Sequence, residues 1–122
     1  MQHNAGFLEL VNAAKARIQQ TDIAGYQAMR AAGTAHVLID TREESEFAAG
    51  HAVGAMHLSK GIIERDIETK VPDKSTKLVL YCGGGFRSAL VADNLQQMGY
   101  TGVISLDGGW KAIMASGLPV EQ

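Results

Sequence analysis

The chain has 122 residues, the size of one compact domain, and 46% of them are apolar, which is ordinary for a globular protein. Its net charge is −2 and its 11 basic residues form no run, so we expect no nucleic acid as partner. No run of apolar residues approaches the ~20 that a membrane span needs, so we expect no membrane partner. The N-terminus lacks the basic region of a secretory signal, and the single cysteine fits a reducing compartment, so we expect a cytoplasmic protein.

The first part of the chain predicts two helices. Apolar side chains spaced by four, three and four residues form one face of a helix over residues 4–20: Phe7, Val11, Ala14 and Ile18. Asp22 is suited to the N-cap of a second helix that runs to Ala32, with Gly33 as its C-cap.

After Gly33 the pattern alternates between strands and helices. Short apolar runs predict strands at 37–40, 55–58, 78–81 and 103–106, and continuous apolar runs are typical of strands covered on both faces. Helices are expected between and after them, at 43–49, 62–69, 88–98 and 110–115. This alternation predicts an open α/β domain with a parallel sheet and crossover helices.

The loop after the third apolar run carries the chemistry that we predict. Cys82 ends a strand, and Gly83, Gly84 and Gly85 separate it from the next helix. Glycines allow backbone conformations in which successive N–H groups point inward, and a helix N-terminus adds a positive field, so the loop is suited to a thiolate and an anionic substrate. Arg87 is always charged, and its planar guanidinium suits an oxyanion. The glycine spacing matches neither a P-loop nor a dinucleotide-binding fingerprint.

Four motifs, in order, resemble the single-domain rhodanese family over residues 20–120. They are the strand end Asp40-x-Arg42, the segment 46–55 (EFAAGHAVGA), the loop Cys82-x-x-Gly85-x-Arg87-Ser88, and the segment 106–109 (LDGG). Ala52-Val53 stands where the family more often has Ile-Pro. No lysine or arginine precedes Arg87 in the loop, unlike in the thiosulfate-specialised two-domain enzymes.

The resemblance implies a rhodanese-like fold, an open five-stranded parallel sheet with helices on both faces. The fifth strand is then short and lies near residues 18–21, which shortens the first helix. Residues 1–20 are accordingly expected to be an N-terminal helical extension, and residues 21–122 the rhodanese-like domain.

The resemblance also implies a thiosulfate sulfurtransferase-like enzyme in which Cys82 is the catalytic residue and carries sulfur as a persulfide. The substrate-binding cradle is Gly83, Gly84, Gly85, Phe86, Arg87 and Ser88. Asp40 and Arg42 have a supporting role, and Arg87 either binds substrate or braces the loop. The expected partners are a small anionic sulfur donor such as thiosulfate and a thiol, cyanide or protein as sulfur acceptor.

Two other functions compete with this hypothesis. A cysteine-dependent phosphatase or arsenate reductase uses Cys-x5-Arg, whereas Cys82 and Arg87 are one residue closer, which argues against that class. The second alternative is a sulfur-relay or interaction module, which passes its persulfide to a dedicated protein partner and turns over small donors slowly. The sequence leaves this alternative open.

The remaining titratable residues are expected to lie outside the catalytic set. His51 and His57 are interpreted as residues that bond backbone groups, since persulfide chemistry needs no Cys–His pair. The four histidines show no metal-ligand spacing, so we expect neither a metal nor a cofactor.

Overall fold

The structure, a computed structural model, describes residues 3–122. Within that range the chain forms six helices and seven strands. The helices are α1 (Ala5–Lys15), α2 (Ile23–Ala31), α3 (Glu44–Ala49), α4 (Ile63–Lys70), α5 (Phe86–Gln97) and α6 (Gly109–Ser116). The strands are β1 (Gln19–Thr21), β2 (Val37–Asp40), β3 (His51–Ala52), β4 (Met56–His57), β5 (Lys77–Tyr81), β6 (Gly102–Leu106) and β7 (Val120–Glu121).

Five strands form one parallel sheet in the order β1-β6-β5-β2-β4. The predicted α/β fold with a five-stranded parallel sheet is therefore confirmed, including the short fifth strand, which is β1. The central strand β5 is completely buried from Leu78 to Tyr81, which is why its sequence is a continuous apolar run. Each buried side chain of this kind stabilises the fold by roughly 1.5–3 kcal/mol.

The sheet separates two apolar clusters because successive side chains of a strand point to opposite faces. On one face, Leu78 and Leu80 of β5 belong to a cluster that includes Ile67 of α4 and Leu95 of α5. On the other face, Val79 and Tyr81 belong to a cluster with side chains of α2 and α6, among them Tyr26 and Ile113. Helices thus cover both faces, as predicted.

The first helix is shorter than its apolar spacing predicted. The prediction of helix over residues 4–20 is wrong beyond Lys15, where α1 ends. Gln19 to Thr21 instead pair with β6, and Ile18 packs against the first of the two clusters. The spacing of Ile18 from Ala14 fitted a helix, but the exposed edge of β6 binds this segment as a strand.

The second helix has the predicted N-cap, Asp22, but ends at Ala31, and its C-cap is Ala32 rather than the predicted Gly33. The side chain of Asp22 accepts a hydrogen bond from the N–H of Gly25 at 2.8 Å, which satisfies one of the free donors of the first turn. Gly33, just beyond the end of α2, has a φ of 71°, a conformation that favours glycine.

One small element was not predicted at all. β3 and β7 form an antiparallel pair in which His51 opposes Glu121 and Ala52 opposes Val120. Two-residue strands are too short to show a period-two pattern, so no sequence signal marks them. Among residues 3–122, no helix is both long and apolar enough to cross a membrane.

Candidate active site

Cys82 lies at the carboxyl end of β5, the central strand of the sheet. Ligand sites of open α/β sheets collect at this edge. Its thiol is buried, with 1% of the residue exposed, and it accepts hydrogen bonds from two backbone N–H groups. Gly85 donates to Sγ at 3.1 Å and Ser88 at 3.3 Å. Of the loop amides predicted to face inward, that of Gly85 contacts the sulfur, together with the N–H of Ser88.

Gly85 is the residue that turns the loop into the helix. Its φ of 97° lies in the left-handed region, and it serves as the N-cap of α5. Because of this turn, α5 begins at Phe86, two residues before its predicted start. The Ser88 N–H that contacts Sγ thus belongs to the first turn of the helix, where backbone donors have no intrahelical partner.

A second serine lies behind Ser88. The Oγ atoms of Ser88 and Ser105 are 2.8 Å apart, and Ser88 Oγ is 3.6 Å from Cys82 Sγ. Both serines are completely buried. Ser105, on β6, was not predicted as a site residue. Its signal in the sequence is a polar residue inside an otherwise apolar strand, since a buried hydroxyl needs a partner.

The start of α6 holds the cysteine loop from the other side. The N–H of Trp110 donates to the carbonyl of Cys82 at 2.7 Å, and that of Lys111 donates to the carbonyl of Gly83 at 3.3 Å. Gly109 has a φ of 51°, and a Cβ atom there would collide with the carbonyl oxygen of Cys82. The glycine pair of the 106–109 segment is therefore explained by close backbone approach to the loop.

Arg87 is paired with a carboxylate from a different part of the chain. Its Nη1 lies 3.3 Å from Oε1 of Glu46 on α3, and both side chains are partly exposed. Burial raises the pKa of Glu46, but the N–H of Glu43 and the guanidinium of Arg87 lower it more, so this pKa lies below its ordinary value. Glu46 therefore stays charged near neutral pH and compensates part of the charge of Arg87.

Asp40 and Arg42 form a buried ion pair next to the loop. The Nη2 atom of Arg42 donates to Asp40 Oδ2 at 2.8 Å and to the carbonyl of Gly50 at 2.6 Å. Burial lowers the pKa of Arg42, but the hydrogen bond and the charge of Asp40 raise it more, so the guanidinium remains charged. It also lies 4.4 Å from the ring centroid of Trp110, the residue that bonds the Cys82 carbonyl. The pair thus contacts the residue whose N–H bonds the cysteine loop.

A cavity of about 560 Å³ opens above Cys82. Of the predicted substrate-binding residues, Gly83, Gly84, Phe86 and Arg87 line it, whereas Gly85 and Ser88 contact the sulfur from below. Three lining residues were not predicted: His3, Phe7 and Lys111. They come from opposite ends of the chain, and no local pattern connects them with the cysteine loop.

His51 and His57 bond backbone carbonyls, as interpreted from the sequence. Nδ1 of His51 lies 2.9 Å from the carbonyl oxygen of Phe47, and Nε2 of His57 lies 2.8 Å from that of Arg42. Both rings stack on Phe47, and neither lines the cavity. Residues 3–122 contain no cluster of three or more histidine, cysteine or carboxylate side chains that could hold a metal ion.

Comparison with known proteins places these features in a family. The model of the rhodanese-like domain matches residues 22–116. A rhodanese with anions from E. coli is 31% identical, with 72% of this chain and 99% of that chain covered and a TM-score of 0.64.

Two further structures show how widely the fold is shared. A protein of unknown function and possible tyrosine phosphatase from Rhodopseudomonas palustris is 29% identical, with 99% of this chain and 98% of that chain covered and a TM-score of 0.84. The thiosulfate sulfurtransferase from Pseudomonas aeruginosa is 23% identical over 93% of this chain but only 22% of its own, with a TM-score of 0.80. At that identity the likeness concerns the fold.

Proposed function

The chain belongs to the rhodanese-like domain family, and we propose that it is a sulfurtransferase that moves sulfane sulfur through a persulfide on Cys82. The donor is a sulfane-sulfur anion such as thiosulfate, and the acceptor is a thiophile, which is cyanide in an assay and a thiol or protein in the cell. Carrying the sulfur requires a reduced Cys82, so a cytoplasmic location is part of the proposal.

The observation that carries the proposal is the position of Sγ under an open cavity and above two backbone donors. The N–H groups of Gly85 and Ser88 lie 3.1 and 3.3 Å from the sulfur, so a thiolate there is stabilised without a neighbouring base. Sulfur added to Sγ extends into the cavity, whose floor is formed by Gly83 and Gly84 without side chains.

The proposed reaction has two half-reactions. The Cys82 thiolate attacks the outer sulfur of thiosulfate, a bond forms between the two sulfurs, and the bond to the sulfonate sulfur breaks, so sulfite leaves with the electron pair. The persulfide then transfers its outer sulfur to the acceptor: cyanide leaves as thiocyanate and the thiolate is restored. This is covalent catalysis, and ping-pong kinetics are expected.

The cavity lining favours sulfur transfer over phosphate hydrolysis. Sulfite is a good leaving group and needs no proton, whereas an alkoxide leaving group requires an acid. Among the described residues that line the cavity there is no aspartate or glutamate.

The pairing of Arg87 with Glu46 supports the sulfur-relay alternative. Thiosulfate is a dianion, and a compensated Arg87 binds it less strongly than a free one. A module that receives sulfur from a protein partner does not need that charge. Slow turnover with thiosulfate combined with efficient persulfide formation is the result expected of such a module.

The test follows thiocyanate formation from thiosulfate and cyanide, with Cys82→Ser as the control. We expect turnover that the variant lacks, and a mass gain of one sulfur atom on the native protein before cyanide is added. A persulfide without turnover favours the relay module. If no donor adds sulfur to Cys82, the proposal is wrong, and hydrolysis of a phosphate ester would then indicate a phosphatase.

A further inference from the structure

The N-terminal helix supplies part of the wall of the cavity above Cys82. Phe7 of α1 and His3, just before it, line the cavity together with Phe86 of the cysteine loop. The three rings form one cluster, with centroids 4.4 Å apart for His3 and Phe86, 5.2 Å for His3 and Phe7, and 6.2 Å for Phe7 and Phe86. An aromatic surface thus begins within the loop that holds the nucleophile.

The position of α1 is determined by contacts that follow Phe7 along the helix. Val11 and Ala14 are buried, and the helix packs on α5. Arg17, just beyond the helix, makes two hydrogen bonds to Asp93 of α5, at 3.1 and 2.7 Å. The hydrogen bond from Arg17 lowers the pKa of Asp93, so the pair is ionic at neutral pH.

Lys15 connects the same helix directly to the loop. Its Nζ lies 5.0 Å from the ring centroid of Phe86 and 3.8 Å from a carboxylate oxygen of Asp107. Phe86 is therefore held between the end of α1 and the rings at its start. The rings of His3, Phe7 and Phe86 form what we call the aromatic wall. Its position is well defined, since α1 contacts Phe86 through both Phe7 and Lys15.

The cavity is too large and too apolar for thiosulfate alone. A volume of about 560 Å³ lies within the ~300–1,000 Å³ of pockets that take drug-sized ligands. The lining includes two cationic residues, Arg87 and Lys111, beside the glycines of the cysteine loop, whereas Phe7 and Phe86 contribute only apolar surface. A ligand that fills the cavity has an anionic sulfane group at the cysteine and an apolar body against the rings.

We propose that the aromatic wall is a specificity subsite, and that the physiological donor is an organic sulfane-sulfur anion with an apolar, ring-sized body. This inference rests on the proposed function, because it assigns the substrate class of the same cysteine. For a thiosulfonate, the Cys82 thiolate attacks the outer sulfur, a sulfur–sulfur bond forms, and the bond to the sulfonyl sulfur breaks, so the organic sulfinate leaves with the electron pair.

The test compares benzenethiosulfonate with methanethiosulfonate, two donors with the same reacting group and charge. In the native protein, kcat/KM for persulfide formation is expected to favour the phenyl donor by roughly tenfold or more, because its ring is buried against Phe7 and Phe86. Phe7→Ala should reduce this preference by at least about threefold, and Phe7→Leu should retain most of it. Leu10→Ala is the matched control, since Leu10 lies on the same helix but is 57% exposed and does not line the cavity.

A binding measurement separates this inference from the proposed function. Cys82→Ser is titrated with benzenesulfinate and methanesulfinate in a calorimeter, with the thermal midpoint of each variant recorded to confirm folding. We expect benzenesulfinate to bind more tightly, and Phe7→Ala to abolish the difference. If thiosulfate adds sulfur to the native protein but the two thiosulfonates react alike, the subsite is wrong and the proposed function stands. If benzenesulfinate binds preferentially but no donor adds sulfur, the proposed function is wrong and the subsite stands.

Discussion

Ser88 and Ser105 share a buried hydrogen bond of 2.8 Å directly behind the sulfur of Cys82. Ser88 belongs to the first turn of α5 and Ser105 to β6, so the bond links the helix that cradles the sulfur to the neighbouring strand. When Cys82 is a thiolate, the hydroxyl of Ser88 is free to donate to Sγ while it accepts from Ser105. Hydrogen bonds in such a chain polarise one another.

The first prediction concerns this serine pair. Ser88→Ala removes the hydroxyl beside Sγ and should slow alkylation of Cys82 by iodoacetamide at fixed pH by about tenfold, equivalent to one charge-assisted hydrogen bond. Ser105→Ala removes only the hydroxyl behind it and should slow the reaction by about two- to fivefold. Ser45→Ala, on the exposed surface of α3, is the control. Equal alkylation rates for all four proteins would show that the hydroxyls do not act on the sulfur.

The second prediction concerns the close approach of α6 to the cysteine loop. Gly109→Ala places a Cβ against the carbonyl of Cys82 at a residue with positive φ, so we expect a loss of several kcal/mol of unfolding free energy, of order 3 kcal/mol. Gly6→Ala is the matched substitution, because a Cβ there meets no atom within 4 Å and α1 gains a better helix former. It should stabilise the protein by up to about 1 kcal/mol. Urea denaturation of both variants measures the two changes in unfolding free energy. The prediction is wrong if the two midpoints shift in the same direction by the same amount.

The third prediction concerns the buried pair Asp40–Arg42, whose side chains are 0% and 4% exposed. Arg42→Met leaves a buried carboxylate without its partner and should cost roughly 3–5 kcal/mol of unfolding free energy. The double variant Asp40→Leu, Arg42→Met removes both charges and should lose less than the single variant. Chemical denaturation of the three proteins gives the comparison. A double variant less stable than Arg42→Met would mean that the charge pair is not the main interaction here.

The fourth prediction concerns the competition between Glu46 and an anionic donor for Arg87. Glu46→Gln removes the negative charge but keeps an acceptor for the N–H of Glu43, so the start of α3 is preserved. The KM for thiosulfate should fall by about two- to fivefold, and the effect should shrink at high ionic strength because the pair is partly exposed. Glu44→Gln, an exposed residue on the same helix, should leave KM unchanged. If Glu46→Gln leaves the KM for thiosulfate unchanged, Arg87 does not bind the donor and instead braces the loop.

The fifth prediction is a pH dependence of the same residue. The pKa of Glu46 is lowered from its ordinary value of 4.5, so its charge stabilises the folded protein above that value. As the pH falls from about 4.5 through the lowered pKa, this contribution is lost, because protonated Glu46 no longer attracts Arg87. The native protein should therefore be more stable than Glu46→Gln at neutral pH and equal to it in acid. A stability difference that stays constant down to acidic pH would contradict the assignment.

Much of the fold follows from local patterns in the sequence. The apolar run at 78–81 predicted the strand that becomes the buried centre of the sheet, because only a strand covered on both faces tolerates apolar side chains at every position. Asp22 and Gly33 marked the ends of α2, because each supplies a capping conformation that few other residues provide. Cys82 and its glycines marked the loop of the proposed nucleophile for the same kind of local reason.

Contacts between distant segments could not be predicted in this way. The ring of Phe7 reaches Phe86 and the carboxylate of Glu46 reaches Arg87, and nothing near either residue in the sequence specifies its partner. Ser105 could be singled out as a polar residue in an apolar strand, but its bond to Ser88 could not. α1 likewise ends at Lys15 because the next segment pairs with β6.

The sequence by itself therefore determined the parallel α/β fold and placed Cys82, the proposed nucleophile, in a glycine loop between a strand and a helix. These depend on hydrophobic periodicity and backbone conformation, which act between residues close in the chain. Only the tertiary structure decided what surrounds Cys82: the aromatic wall from α1, the serine behind Ser88 and the carboxylate beside Arg87. Those contacts depend on how helices pack on the sheet, and packing depends on the shape of the whole core rather than on any one segment.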